Sequence, residues 1–177
     1  MSLTSAAIQS AASDDELFNL LSNELSWVFP PEIQDDPERF LAALPKAPRG
    51  LRAMATIHAL DVSMSLDDLG WHFLNNNDER LIQETAMGLQ ELEAKEAADI
   101  FLSAWALVKP HMQDIERLQS SAEEPQDFLD SFGIQEKMDP LSERMWALCE
   151  SCGQFGLMSY WLSYARKHPA NCTTDKH

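Results

Sequence analysis

Between Pro48 and Pro110 apolar side chains return every third or fourth residue, and one polar break, Asn75-Asn76-Asn77, interrupts them. That period belongs to helices and leaves little room for anything else. From Leu51 to Met64 two apolar stripes run side by side, Leu51/Met54/Ala55/Val62 and Ala53/Ile57/Leu60/Met64. A helix apolar over so much of its circumference is expected at the centre of a fold. Leu66, Leu69, Phe73 and Leu74 continue as a helical turn until the asparagines, which tolerate turn conformations, break it. Asp78 then caps a helix striped by Leu81, Ile82, Thr85, Leu89 and Leu92. After a tight join near Glu93, Ala97, Ile100, Phe101, Ala104 and Val108 line its partner, so the two predict a helical hairpin.

The flanks obey the same grammar. Ser13 and Glu16 have the spacing of a capping box ahead of Leu17, Leu20, Leu21, Leu25 and Val28. Pro30 and Pro31 stop that helix, and Asp36-Pro37 opens a short one. Residues 1–12 are small and polar and predict frayed or weak helix. A short helix is expected over His111 to Leu118, an exposed loop over Ser120 to Gln126, and an apolar clip at Phe128, Leu129, Phe132 and Ile134. Asp139-Pro140 is expected to open the last helical region, kinked at Gly153 and Gly156 and ended by His168-Pro169. No stretch alternates with period two. The fold class is therefore all-α, a compact bundle of about seven to nine helices built on a central helix and a helical hairpin.

Charge narrows the function. Twenty-nine acids against 13 bases give −16. Residues 151–177 hold one acid and three bases, so the first 150 carry 28 acids, 10 bases and a net −18. Such a surface repels phosphate and attracts basic partners, which argues against direct nucleic-acid binding. Three cysteines suit a reducing compartment better than a disulfide scaffold. The first residues lack the basic and apolar regions of a secretory signal. The longest nearly apolar run, Ile100 to Val108, is too short to span a membrane. A cytoplasmic location is expected.

Catalytic chemistry has little to stand on. Cys149, Cys152, His168 and Cys172 have a C-x2-C-x15-H-x3-C spacing compatible with zinc on paper. Cys149 and Cys152, however, fall in the apolar stripe of Leu141, Met145 and Leu148, where cysteine behaves as a small hydrophobe. His58 and Asp61, three apart, read as a buried structural pair rather than a catalytic one. Adjacent carboxylates such as Asp67/Asp68 do not face one another on a helix and so make poor acid/base dyads. There is no glycine-rich phosphate loop and no HExxH. The chain reads as non-enzymatic, with no cofactor and no metal.

The central stretch resembles the DNA mimic protein 19-like family, a bacterial helical domain largely of unknown function. Asp67-Asp68-Leu69-Gly70-Trp71 stands at the family's acidic Asn-Gly-Gly-aromatic turn, and His72-Phe73-Leu74 at its Gln-aromatic-aromatic, with Asn75 and Asn76 after it. Glu84, Leu89, Leu92, Ala94, Ala97, Ala98 and Ile100 fit the family's two central helices. Leu141, Met145 and Trp146 look like its late helix, and Tyr164 through His168-Pro169 like its closing segment. Of the glycine pair only Gly70 is present; Leu69 and Asp68 make that turn more ordinary helix. The resemblance spans about Leu51 to Pro169. With the helix boundaries it implies a helical extension over 1–46, the family domain over 47–170 and a disordered tail over 171–177.

The resemblance implies a double-stranded-DNA mimic whose carboxylates occupy the basic cleft of a DNA-binding regulator. Candidate contacts are Asp67, Asp68, Asp78, Glu79, Glu84, Glu91, Glu93 and Glu96. The same charge would suit an immunity or antitoxin-like protein that neutralises a basic toxin. A structural or oligomerisation module is a third reading, and a homodimer stays open.

Overall fold

The computed structural model describes residues 3–119 and 128–174. Among them there are helices and 3-10 turns and no strand. The helices are α1 (Ser5–Ser10), α2 (Asp14–Val28), α3 (Pro31–Gln34), α4 (Pro37–Ala43), α5 (Arg49–Leu66) and α6 (Leu69–Asn75). Next come α7 (Glu79–Glu91), α8 (Lys95–Val108), α9 (Met112–Gln119), α10 (Phe128–Ser131), α11 (Gln135–Ser151) and α12 (Ser159–Lys167). The all-α bundle expected from the periodicity is the one that forms, with α1, α3 and α10 as short additions. The loop expected over Ser120 to Gln126 lies outside the described residues.

α5 is the central helix. Leu51, Met54, Ile57 and Leu60 on it are fully buried, and it packs on α7, α6, α2 and α12. Gly88 on α7 is what lets the two backbones close: a Cβ there would stand 2.5 Å from Thr56 Oγ1 and 3.1 Å from the Ala53 carbonyl oxygen. The hairpin of α7 and α8 turns at Glu93, which has a left-handed φ of 61°. The Glu93 N–H donates to the Gln90 carbonyl and the Ala94 N–H to the Leu89 carbonyl, the bonding of a Schellman helix end. Glycine is the usual residue at that position. Here a carboxylate occupies it.

Helix ends carry the caps their sequences promise. Ser13 Oγ accepts from the Glu16 N–H at 3.1 Å, and Glu16 Oε2 accepts from the Ala12 N–H at 2.7 Å. Asp36, Asp68 and Asp78 cap α4, α6 and α7. Two stretches depart from expectation. α1 is helix with Ile8 fully buried, where frayed chain or weak helix was expected. α11 begins at Gln135, four residues ahead of Asp139, and carries Pro140 inside it. Burial of Ile134 and Met138 accounts for the early start, and Pro140, past the first turn, forfeits the bond that an N–H there would make to the Glu136 carbonyl.

Residues 171–174, expected within a disordered tail, are ordered instead. Cys172 is fully buried in a 3-10 turn, and Thr174 Oγ1 donates to Glu24 Oε1 at 2.8 Å. The other oxygen of the buried Glu24 accepts from the Leu3 N–H at 3.0 Å. One carboxylate therefore ties the first and last described stretches to α2.

The kink after α11 is set by Gly156, at φ 52° and ψ −137°. Asp61 Oδ1 accepts from the Leu157 N–H at 2.7 Å, and a Cβ on Gly156 would come within 2.6 Å of that oxygen. Burial holds the Asp61 carboxyl above the usual range. Of the His58 and Asp61 pair expected to be buried, Asp61 is buried and His58 is exposed, its ring centroid 6.1 Å from that of Trp161.

Candidate functional site

The turn between α5 and α6 is where the acidic surface starts. Asp67 breaks α5, with its backbone at φ −157° and ψ −127°, and its side chain is exposed. Asp68 is spent on structure: its Oδ1 accepts from the Trp71 N–H at 2.8 Å. Beneath the turn, His72 is buried with its Nδ1 2.8 Å from Ser63 Oγ, and Phe73 and Phe101 close around the ring. Burial pulls the His72 pKa down to about 4, so the imidazole is neutral and locks α5 to α6. The surviving glycine serves packing: a Cβ on Gly70 would stand 2.4 Å from Leu129 Cδ1 in the clip.

The turn is fastened from outside by α11. Trp146 Nε1 donates to the carbonyls of Met64 at 3.1 Å and Asp67 at 3.0 Å, and the Leu69 N–H donates to Ser142 Oγ at 3.4 Å. These bonds place Asp67 beside the outer face of α11. On that face Glu136, Asp139, Glu143 and Glu150 are all exposed at near-helical spacing and, among the described residues, form no ion pair. At 1.5 Å per residue they span about 21 Å, or about one charge per 5–7 Å. A single DNA strand carries one per about 3.4 Å of axis. Two bases that form no ion pair among the described residues, Lys137 and Arg144, interrupt the face.

Most of the acids singled out in the sequence are engaged elsewhere. Glu84 takes a bidentate pair from Arg52, with Nε 2.6 Å from Oε2. Glu91 meets Arg49 at 3.1 Å and accepts from the Tyr164 hydroxyl. Glu79 pairs with Lys109 at 2.7 Å, and Glu93 with Lys167 and, at 3.7 Å, His168. Asp78 holds Arg80 at 2.6 Å, and that guanidinium keeps its carboxyl below the ordinary range. Lys167 does the same for Glu93. A carboxylate beside its own base projects little net field.

Asp67 and Glu96 are the two of the eight left exposed without a base or a capping role among the described residues. Glu96 stands at the start of α8, which packs along α11, and its charge is felt at Tyr160 together with Cys149 and Cys152 at the end of α11. Asp67 thus sits beside the α11 acids, whereas Glu96 lies toward the cysteine end of that helix. The helical spacing of Glu136, Asp139, Glu143 and Glu150 was the available signal, and the cysteine stripe on the same segment obscured it.

Burial pushes the Cys149 thiol up to about 12, which leaves it protonated and a poor nucleophile. No group of three or more His, Cys, Asp or Glu converges on a metal-sized site among the described residues. Nor is any helix among them long and apolar enough to cross a membrane.

No curated protein and no solved structure matches the chain. A family model described as DMP19-like protein matches residues 45–168, from just before α5 to the end of α12. That interval holds the central helix, the hairpin, the Asp67 turn and α11, all the parts that assemble the acidic surface. By this match the chain belongs to the DMP19-like protein family.

Proposed function

We propose that this protein is a non-enzymatic, acidic interaction protein that occupies the basic DNA-binding surface of a regulator as a mimic of duplex DNA. One observation carries the reading: the α11 carboxylates that form no ion pair among the described residues, with Asp67 brought beside them by the Trp146 bonds, make one exposed acidic face. DNA-binding clefts are lined with lysine and arginine to meet a phosphate array, and an array of fixed carboxylates competes for them. The net charge of −16 steers such partners inward and turns nucleic acid away. Three free thiols suit a reducing, cytoplasmic setting.

The test is capture of partners from a cell extract on immobilised protein at roughly 50 and 200 mM salt. Basic DNA-binding proteins are expected at low salt, lost at high salt and released by short duplex DNA. Neutralising the free acids (Asp67→Asn with Glu143→Gln and Glu150→Gln) should abolish capture, whereas Glu79→Gln, which removes an already paired acid, should not. Salt-insensitive capture of a neutral partner, or equal loss from both sets, overturns the reading.

A further inference from the structure

The acidic face has an apolar centre. Trp146 follows Glu143 by three residues on α11 and precedes Glu150 by four, so the three project to one side of the helix. Trp146 remains 39% exposed although its Nε1–H is fixed on two carbonyls. Those carbonyls, of Met64 and Asp67, flank Leu66 in the chain, and the bonds bring the indole to the end of α5 where Leu66 is 69% exposed. Val62, one turn earlier on the same edge of α5, is exposed as well. The other large apolar side chains exposed among the described residues, Trp27, Met87 and Leu102, lie singly on α2, α7 and α8. Single ones are ordinary on any surface. Three drawn to the junction of two helices mark a place of interaction.

Around this patch Asp67, Asp139, Glu143 and Glu150 are exposed and form no ion pair among the described residues. An apolar centre inside a charged rim is the anatomy of a protein interface, and tryptophan is among its commonest anchors. The rim selects the occupant. It repels nucleic acid and anionic lipid, and a second copy would set the same carboxylates against themselves. We infer that Val62, Leu66 and Trp146 dock a basic amphipathic helix of a partner protein. Laid along α11, that helix presents an aliphatic side chain to Trp146 and Leu66. Lysine or arginine one turn before and one turn after it meets Glu143 and Glu150, which are about 10 Å apart along the axis. The inference rests on the partner being basic and deepens that reading. Charge alone has no use for an exposed indole, whereas an indole already held by two hydrogen bonds binds with little further loss of freedom.

The experiment measures binding of the full-length protein to two fluorescein-labelled, alanine-based helical peptides by anisotropy at roughly 50 and 200 mM salt. Both carry the same lysines; one has leucine between them and the other glutamine. The leucine peptide should bind at least about tenfold more tightly, and the preference should persist at the higher salt. Val62→Ala with Leu66→Ala places the best helix former at two exposed positions and should leave the melting curve in place. That double variant should bring the leucine peptide down to the affinity of the glutamine peptide, which itself should not change. Glu143→Gln with Glu150→Gln should weaken both peptides alike and flatten their salt dependence. Equal affinity for the two peptides, or a leucine preference that survives the double variant, overturns the patch and leaves the acidic-face reading standing. A leucine peptide with its lysines replaced by glutamine that binds as tightly assigns the patch to a neutral partner, and self-association abolished by the double variant assigns it to a second copy; either overturns the inference. Failure to capture any DNA-binding protein from extract, with the leucine preference intact, removes the mimic reading alone. No binding of either peptide removes both.

Discussion

His72 makes stability depend on pH in a way the rest of the chain does not. The ring is 1% exposed, and burial lowers its pKa from 6.5 to about 4. Between those values the unfolded chain binds a proton that the native protein refuses, so acid favours unfolding. Stability from this source is fully present above pH 6.5 and drains away as pH falls toward 4. The whole span is worth about 3 kcal/mol, and about 2 kcal/mol of it should be gone by pH 5. Urea unfolding monitored by circular dichroism at pH 8 and pH 5 reads the loss directly. The comparison protein is His72→Gln, which lacks the titration. Asp61 has the opposite sign: its raised carboxyl stabilises fully at low pH and less as pH rises through its folded value. It is present in both proteins, as are the other carboxylates, so their effects cancel in the difference. The unmodified protein should lose about 2 kcal/mol more than the variant between the two pH values. Parallel losses, or an imidazole that titrates near 6.5 by NMR, would refute the account.

Three further expectations concern structure. Gly156→Ala meets both a left-handed φ and the Asp61 oxygen, and should cost roughly 2–4 kcal/mol in urea unfolding; Gly133→Ala, at φ 66° in open space, should cost about 1 kcal/mol. Arg52→Ala leaves the largely buried Glu84 carboxylate without its fork and should destabilise by about 1–3 kcal/mol, whereas Lys109→Ala, from a pair more than half exposed, should cost under about 1 kcal/mol. Trp146→Phe keeps the ring but loses the bonds to the Met64 and Asp67 carbonyls, so about 1 kcal/mol should disappear on thermal melting and partner capture should weaken with it.

The helices were legible because their signals are local. Pro30, Pro48 and Pro110 mark boundaries, Ser13 and Glu16 lie three apart, and the stripes of α5 recur within one turn. The state of Glu79, Glu84, Glu91 and Glu93 was not, because the deciding base is distant in the chain. Arg52 lies 32 residues from Glu84, Lys109 30 from Glu79, and Lys167 74 from Glu93. Counting carboxylates in a window shows how much charge a segment carries, while only the folded arrangement shows how much of it still acts on a partner. The burial of α1 was hidden for a related reason: one isoleucine among small residues has no period, and its value comes from the surface it lands on. The start of α11 was misplaced because Asp-Pro is a strong local signal that the burial of Met138 overrides.

The carboxylate of Glu24 has a topological consequence. Because Leu3 and Thr174 are fastened to the same side chain, the path of the backbone returns close to where it set out. Anything joined ahead of Leu3 and anything joined behind Thr174 would leave from one corner of the molecule. A tether at either place holds the domain by the same handle, and tension applied between the two would load that carboxylate before it reached the bundle.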